Sequence, residues 1–424
     1  MVRKMRKRIF LVGMLMTSFG ITGCQQTADA VANEEEMIYL SVLAGQSTPD
    51  AGIEDMIDEK VAEILPNVRL EWECVDWGEN FDAEVNARFA AGDIPDILIG
   101  KAQDARHYYA TGNLAEIEPM LLEEIEDSAK NTVMVDGIAY GIPYNSWYQG
   151  VIYNKKIFEK YKLDVPKSRL ELEQVVDTLE KNGVVPFAGH FQENWSVGNT
   201  TMQFMLNNIF AKNPLWGDAF RDGKESYSDN AVIQDCMECN QYILEHTWED
   251  ALSVDQAACD NRFDNGEAAM YLTGTWSLQF SNQNQQSEEY GIFPYPNLTG
   301  DSKLIRETNM TFMKSATTEY SDEVDKIFEI LISDEELMGE ILNYTQTFSV
   351  KKEYKKEFES CLQDEINIYE KSGQIIEATV GNTQLIWFFQ NDVAAQELMW
   401  LQGKKELDEV LMYADLHRLE SIIQ

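Results

Sequence analysis

The sequence has little positive charge: 34 Lys and Arg residues stand against 73 Asp and Glu residues, and the formal net charge is −39 at pH 7. A surface this acidic repels nucleic acid and anionic lipid headgroups, which argues against both as partners. The sequence also lacks the loop G-x-x-x-x-G-K-[S/T] that binds nucleotide phosphates. We therefore expect no cofactor and no nucleotide hydrolysis by this chain.

Motifs of common hydrolases are absent as well. The sequence contains no H-E-x-x-H and no G-x-S-x-G, and its four histidines are scattered along the chain. A pair of carboxylates is what a glycosidase needs, but among 73 acidic residues some pair always looks suitable. We therefore predict a protein that is not an enzyme and holds no metal, with a carbohydrate-active enzyme of the cell surface as the alternative.

Six cysteines are present, and two of them, Cys236 and Cys239, form a C-x-x-C pair. Redox and metal sites use this spacing. However, no second C-x-x-C and no histidine pair nearby supplies further metal ligands. The surrounding segment has the pattern of a helix, where positions three apart share a face. Buried, inert thiols are the favoured interpretation, with a disulfide and then a metal site as alternatives.

The start of the chain has the features of an export signal. Basic residues precede an apolar run at residues 9–19, and Ile-Thr-Gly-Cys follows at residues 21–24. The run is shorter than the about 20 residues that span a bilayer. The pattern resembles a bacterial lipobox, which implies that residues 1–23 are a signal peptide and that Cys24 carries lipid such as palmitate. An ordinary signal peptide with an incidental cysteine is the alternative.

The residues after this signal predict a membrane tether. Residues 24–36 are polar and show no hydrophobic periodicity, so they cannot bury enough surface to order themselves and are interpreted as a flexible linker. The prediction is an extracellular protein held on the outer face of the cell membrane by a lipid anchor.

The mature chain alternates strands and helices from its beginning. Strand-like apolar segments with helical patterns between them lie at residues 38–44, 68–74 and 94–100. This order predicts an α/β fold with parallel strands. Ligands of such sheets meet the loops beyond the carboxyl ends of the strands, here residues 45–48 and 101–106. The length of the chain favours two domains, and a second α/β unit starts near residue 150.

Four segments resemble motifs of one protein family. Residues 89–96, FAAGDIPD, resemble its FxxGxxPD stretch, and residues 140–158 contain YGIPY followed by YNKKIF. Residues 263–276 resemble its FxxGxAAM…GxW segment, whereas residues 166–172 match P-x-T-x-x-E-L less closely. The chain is therefore similar to the extracellular solute-binding proteins of family 1, the group that includes the maltose-binding proteins.

The resemblance implies a type II periplasmic-binding-protein-like fold, in which a multi-segment hinge joins two α/β lobes with a ligand cleft between them. By similarity, the chain would cross between the lobes near residues 144–150, 293–296 and 345–349. Lobe 1 would then comprise residues 37–146 and about 297–345, and lobe 2 residues 147–296 and about 346–424.

The family also implies a function. The chain would be the substrate-binding component of an ABC importer, would capture a sugar or oligosaccharide by hinge closure, and would deliver it to a membrane permease. A sugar has apolar C–H faces and a rim of hydroxyls, so its site needs aromatic rings together with polar side chains. We expect a monomer. A receptor of the same fold for a cationic or peptide ligand is the alternative, because the acidic composition is also compatible with a cationic ligand.

Aromatic and polar residues in the expected cleft are the candidate ligand contacts. Trp276 follows a Gly-Thr turn at the family's aromatic stacking position, with core packing as its alternative. The remaining candidates around aromatic positions, for which packing is also an alternative, are Trp195, Tyr144, Asn145, Trp147, Trp387 and Phe388. The polar candidates, which a solvated loop would explain equally well, are Gln46, Gln103, Asp104 and Arg106. Trp72 fits the buried face of a strand and is not a candidate.

Overall fold

Two β-sheets with helices packed on them make up the described part of the chain. The computed structural model describes residues 37–46, 52–76, 79–278, 290–297, 299–354, 362–380 and 388–421, apart from the side chains of Gln46, Glu79 and Asn80. The predicted signal peptide and tether, Cys24 and Trp387 lie outside these residues. The predicted α/β class is confirmed.

The first sheet has five strands in the order β2-β1-β3-β12-β6. Strand β1 (Ile38–Gln46) is parallel to β2 (Val68–Asp76) and β3 (Ile97–Lys101). Strand β12 (Met310–Lys314) lies antiparallel between β3 and β6 (Ile142–Pro143). The three parallel strands are the ones predicted from the first hundred residues. We call this sheet, with the helices packed on it, the first lobe.

The second sheet is built around β7 (Asn145–Asn154) and has the order β14-β11-β7-β9-β8. Strand β7 is antiparallel to each of its four partners, β9 (Ala268–Gly274), β10 (Tyr290–Phe293), β11 (Leu304–Thr308) and β13 (Phe348–Ser349). The outer strands β8 (Val185–Ala188) and β14 (Ile375–Glu377) are parallel to β9 and β11. This sheet and its helices form the second lobe. A separate hairpin pairs β4 (Met134–Val135) with β5 (Ile138–Ala139).

Amphipathic helices cover both sheets. In the first lobe Val324, Ile327 and Leu331 turn one helical face inward and are at most 2% exposed, which removes apolar surface from water. The helices of the first lobe are Ile53–Ile64, Glu79–Ala91, Ala102–Tyr109, Asp127–Thr132, Ser321–Ser333 and Glu335–Thr345. Those of the second are Lys155–Tyr161, Arg169–Lys181, Asn194–Met205, Trp216–Arg221, Ala231–Glu245, Gln256–Asp264, Gln363–Lys371, Ala394–Leu401 and Leu407–Leu416.

Three short passages carry the described chain from one sheet to the other. The first is Tyr144, between β6 and β7, the second is Asn309, between β11 and β12, and the third is residues 345–347, before β13. The second passage differs from the expectation of a crossing near residues 293–296. Strand β11 still pairs with β7 in the second sheet, so the chain returns to the first lobe only after Thr308.

The C-x-x-C pair lies in the helix Ala231–Glu245. Cys236 and Cys239 are free thiols there, and burial raises the pKa of both. In the described residues, no group of three or more His, Cys, Asp or Glu side chains could hold a metal ion. No helix in this part of the chain is long and apolar enough to cross a bilayer.

Candidate ligand-binding cleft

At the passages, the ends of strands from the two sheets face each other; we call these boundaries the edges of the two sheets. In the first lobe β1, β2 and β3 run parallel and β3 ends at Lys101, which pairs with Met310 at the start of β12. In the second lobe β9 ends at Gly274 beside the beginning of β7. Since the passages join these edges directly, the carboxyl ends of the parallel strands border a common space. Loops at such strand ends are where ligands bind in α/β proteins.

A cavity of about 450 Å³, its open mouth included, lies between these edges. Asn145 at the start of β7, Asn309 and Thr345 line it, and the first lobe adds Trp72. Trp72 is half-buried and its Nε1 donates to Asp58 Oδ1 at 2.9 Å. The ring lies on the more buried face of β2 and packs against the core of the first lobe, as the alternating strand predicted. It also lines this cavity, which the sequence did not indicate.

Two predicted tryptophans meet at the edge of the second sheet. The rings of Trp147 and Trp276 are perpendicular, with centroids 5.8 Å apart. Trp147 is 7% exposed, whereas Trp276 is half-buried. A Cβ placed on Gly274 would lie 2.0 Å from the Trp276 ring, so only glycine lets that ring lie against the end of β9. The partly exposed Trp276 ring is therefore held in a fixed position beside Trp147.

Asn145 connects the three passages. Its side-chain Oδ1 accepts from the Met310 backbone N–H at 2.9 Å, and its Nδ2 donates to Thr347 Oγ1 at 2.9 Å. Its backbone carbonyl accepts from the Asn309 N–H at 2.9 Å. Asn145 is 1% exposed. Both ends of the amide that was predicted to contact ligand are thus occupied within the hinge, which gives Asn145 a positioning role.

Two further aromatic candidates are packed in the cores. Tyr144 is 1% exposed and its ring meets Phe312 edge to face at 5.4 Å. Phe388 is 2% exposed and belongs to the core of the second lobe. The structure therefore places both rings in packing positions, which was the alternative explanation for them. Neither ring lines the cavity at the passages.

The polar candidates of the first lobe follow β3. Asp104 is 5% exposed and its Oδ2 accepts from the Lys101 backbone N–H at 2.7 Å. Burial raises the pKa of Asp104 to about 7, and the neighbouring Asp82 carboxylate adds to the rise. Asp82 itself accepts from the Tyr108 hydroxyl at 2.7 Å. Asp104 thus stabilises the start of its helix, and it lies close enough to Asp82 for the Asp82 carboxylate to raise its pKa.

Gln103 and Arg106 lie on the same helix but differ in their surroundings. The guanidinium of Arg106 donates to the carbonyl oxygens of Met134 at 2.8 Å and Asn131 at 3.3 Å, which ties the helix to the next segment of the first lobe. Gln103 is half-buried and remains a candidate contact. Gln46 ends β1 at the same edge, but its side chain lies outside the described residues.

Trp195 lines a second cavity, of about 390 Å³ with its mouth included, beyond the ends of β8 and β9. Its ring is half-buried, and the ring of His190 lies 5.4 Å away. Among the described residues, three buried atoms of the lining have no hydrogen-bond partner, namely His190 Nδ1, Asn240 Oδ1 and Tyr271 Oη. Buried polar atoms normally find a partner, a water molecule or a ligand. The lining therefore offers polar binding groups beside an aromatic ring.

Asn240 also links this cavity to a fully buried carboxyl group. Glu397 is 0% exposed and accepts from Asn240 Nδ2 at 2.8 Å and from Thr201 Oγ1 at 2.7 Å. Burial raises the pKa of Glu397 to about 8. The bond from Thr201 joins the helix Ala394–Leu401 to the helix that carries Trp195, and the bond from Asn240 joins it to the helix Ala231–Glu245. A buried acid that is mostly neutral at pH 7 thus connects three helices behind this cavity.

Comparisons with known proteins agree with this arrangement. The family model of the bacterial extracellular solute-binding proteins matches residues 44–338. No curated protein matches the chain significantly. Similar solved structures include a chitin oligosaccharide binding protein, 21% identical over 90% of this chain and 98% of its own, with a TM-score of 0.75.

Two further solved structures contain sugars. RafE in complex with raffinose is 16% identical over 91% of this chain and 100% of its own, with a TM-score of 0.76. A sugar transporter protein of Bacillus licheniformis in complex with stachyose is 13% identical over 91% and 100%, with a TM-score of 0.74. At such identities the likeness shows the fold, which is the type II periplasmic-binding-protein-like arrangement predicted above.

Proposed function

This chain belongs to the bacterial extracellular solute-binding proteins, and from that premise we propose that it captures a sugar or oligosaccharide for an ABC importer. The observation that carries the proposal is the pair of tryptophans, Trp147 and Trp276, at the edge of the second sheet where the passages meet. An aromatic ring covers the apolar C–H face of a sugar, while nearby polar groups bind its hydroxyls. The sugar-bound relatives of the same fold support this ligand class.

Capture would work by closure of the two lobes. A ligand that touches both lobes only in the closed form shifts the population of the protein towards that form. The hinge is then the set of three passages, which Asn145 holds in register. The closed receptor would present a surface to the membrane permease, and ATP hydrolysis by other chains would drive transport.

We propose binding without chemical change of the ligand. Two of the carboxylates near the passages already serve structural purposes, since Asp104 accepts from the Lys101 backbone and Asp82 accepts from Tyr108. Incubation with an oligosaccharide that the protein binds should therefore return it uncleaved, as measured by chromatography. Cleavage products that scale with protein concentration would favour the surface enzyme instead.

We also propose that lipid on Cys24 anchors the protein to the outer face of the cell membrane, where it would act as a monomer. Support comes from the lipobox-like sequence at residues 21–24 and from the extracellular family. Replacing Cys24 with alanine in the full chain should move the protein from the membrane fraction to the medium. Retention of the Cys24→Ala variant in the membrane fraction would contradict the anchor.

The sugar proposal is tested by calorimetry and thermal shift with neutral oligosaccharides, among them raffinose, stachyose, maltotriose and chitotriose. Trp276→Ala should weaken binding of the sugar that binds best about fivefold or more, because stacking contacts of this kind contribute about 1 kcal/mol or more. The matched control is Tyr39→Ala. Tyr39 is an exposed aromatic near the start of β1, at the opposite end of that strand from the cleft edge. Equal affinity of both variants and the native protein would remove Trp276 from the site.

A further inference from the structure

One face of the second sheet gathers aromatic and polar side chains at the cleft edge. Trp147 and Gln149 are two residues apart on β7, so their side chains share a face. Glu307 on β11 lies directly opposite Trp147, and Gly274, whose Cβ position the Trp276 ring occupies, lies directly opposite Gln149. Directly paired residues of antiparallel strands also share a face. The four side chains Trp147, Gln149, Trp276 and Glu307 are therefore neighbours on one surface.

Gln149 carries a buried acceptor without a donor. The residue is 4% exposed, and its Nε2 donates to Glu307 Oε2 at 2.5 Å. Within the described part of the chain, its Oε1 has no hydrogen-bond partner. The reverse orientation of the amide would place its oxygen against the Glu307 carboxylate, so the donor side is fixed. A buried acceptor left unpaired is costly, which makes Gln149 Oε1 a natural partner for a ligand donor.

Glu307 adds a carboxylate at the boundary between the two lobes. It is half-buried, and its charge interacts with Lys101 at the end of β3 in the first lobe. Burial raises the pKa of Glu307, while Lys101 and the bond from Gln149 oppose the rise. The Asp104 carboxyl lies close enough for Glu307 to raise its pKa. This part of the cleft thus has more acceptors and more negative charge than donors and positive charge.

We propose that Gln149 and Glu307 form a subsite that receives hydrogen bonds from hydroxyl groups of the sugar stacked on Trp276. The subsite selects uncharged sugars and rejects sugar acids. This inference rests on the proposed sugar-binding function. Carboxylate acceptors bind hydroxyl donors more strongly than neutral acceptors do. A uronate carboxylate placed here would instead face Glu307 at close range, and such like-charge contact is unfavourable.

The subsite is tested by isothermal titration of the mature protein with matched ligands. The neutral probes are raffinose, stachyose, maltotriose and chitotriose, and the acidic probe is trigalacturonate. We expect the best neutral sugar to bind at least tenfold more tightly than the acidic probe. Binding of trigalacturonate as tight as that of the best neutral sugar would overturn the selectivity.

Two variants test the residues themselves. Glu307→Gln and Gln149→Leu should each weaken binding of the best neutral sugar about tenfold or more. Glu307→Gln loses a hydrogen bond to a charged group, and Gln149→Leu leaves a hydroxyl of the ligand without its acceptor. Gln149→Leu removes a buried unpaired acceptor, so a melting temperature at or near that of the native protein is expected together with weaker binding. The control is Glu71→Gln, an exposed acid on β2, which should change nothing.

The outcomes separate the subsite from the proposed function. Absence of binding by the native protein to every sugar refutes the function and the subsite together. Neutral sugar binding that is lost in Trp276→Ala but stays within twofold of native in Glu307→Gln and Gln149→Leu refutes the subsite alone. Should Glu307→Gln fail to fold, the affinity of Gln149→Leu decides the matter by the same criterion.

Discussion

Asn145→Ala is the most informative single change, because one amide holds all three passages between the lobes. The residue is 1% exposed, and its side chain bonds Met310, directly after the second passage, and Thr347 in the third. Alanine removes both bonds, because its side chain has no hydrogen-bonding group. The perturbation is confined to the hinge, since the groups that Asn145 bonds lie in the passages or directly beside them.

The magnitude follows from what each partner loses. The Met310 N–H would be left without its acceptor, and a buried unpaired donor costs about 1–3 kcal/mol. The Thr347 hydroxyl keeps a second partner, Thr345 Oγ1 at 2.7 Å. Loss of the bond between Asn145 and Thr347 should therefore cost only the net free energy of one hydrogen bond, about 0.5–1.5 kcal/mol. We therefore expect Asn145→Ala to lower the free energy of unfolding by about 2–4 kcal/mol.

The assay is urea denaturation of the mature protein without ligand, followed by circular dichroism and tryptophan fluorescence so that two-state behaviour can be checked. The control is Asn182→Ala, which removes an amide bond to the Thr178 carbonyl at an exposed helix end and should cost less than about 1 kcal/mol. Equal stability losses for the two variants would refute the hinge role. Loss of sugar binding with native stability in Asn145→Ala would show that Asn145 contacts the ligand, as its sequence position suggested.

Three further predictions concern the second lobe and the link between lobes. The pKa of Glu397 is raised to about 8, against 4.5 for the ordinary group. Its contribution to stability is therefore complete below pH 4.5 and is lost as the pH rises to about 8. In a series of urea midpoints measured at different pH values, Glu397→Gln should remove this decrease. Arg306 bridges the lobes through Glu126 Oε2 at 2.8 Å, so Glu126→Gln should populate more open forms. X-ray scattering without ligand should then show a larger radius of gyration, and an unchanged radius would contradict the bridge. Burial raises the pKa of Cys236 and Cys239, so a thiol reagent should modify them only after unfolding; rapid reaction in the folded protein would refute their inertness.

The parallel strands of the first lobe were predictable because their signals are local. Short apolar segments alternate with helical patterns over the first hundred residues, and sequential strands of this kind pair with each other. The pairing of strands in the second sheet gave no such signal. Strand β11 pairs with β7 across more than 150 positions of sequence, and nothing near Leu304 indicates which lobe it joins. The second passage was therefore expected too early in the chain.

The candidate site was partly predictable for the same reason. Trp276 and Trp147 stand in or beside recognisable motifs, and the structure brings their rings together. Gln149 and Glu307 carry no motif. Their proximity depends on the register of β7 against β11, and a register shift of one residue would turn one of them to the other face of the sheet. Only the pairing, which the sequence does not state, reveals them as neighbours.

The distance of each contact from the hinge decides what that contact can do. Glu307 lies two residues before the second passage and Trp147 two residues after the start of β7, so a rotation about the passages moves them little. Contacts there are nearly the same in open and closed forms, and a ligand with equal affinity for two states shifts nothing between them. They therefore contribute affinity rather than closure. The bias towards the closed form must come from groups of the first lobe that lie farther from the passages.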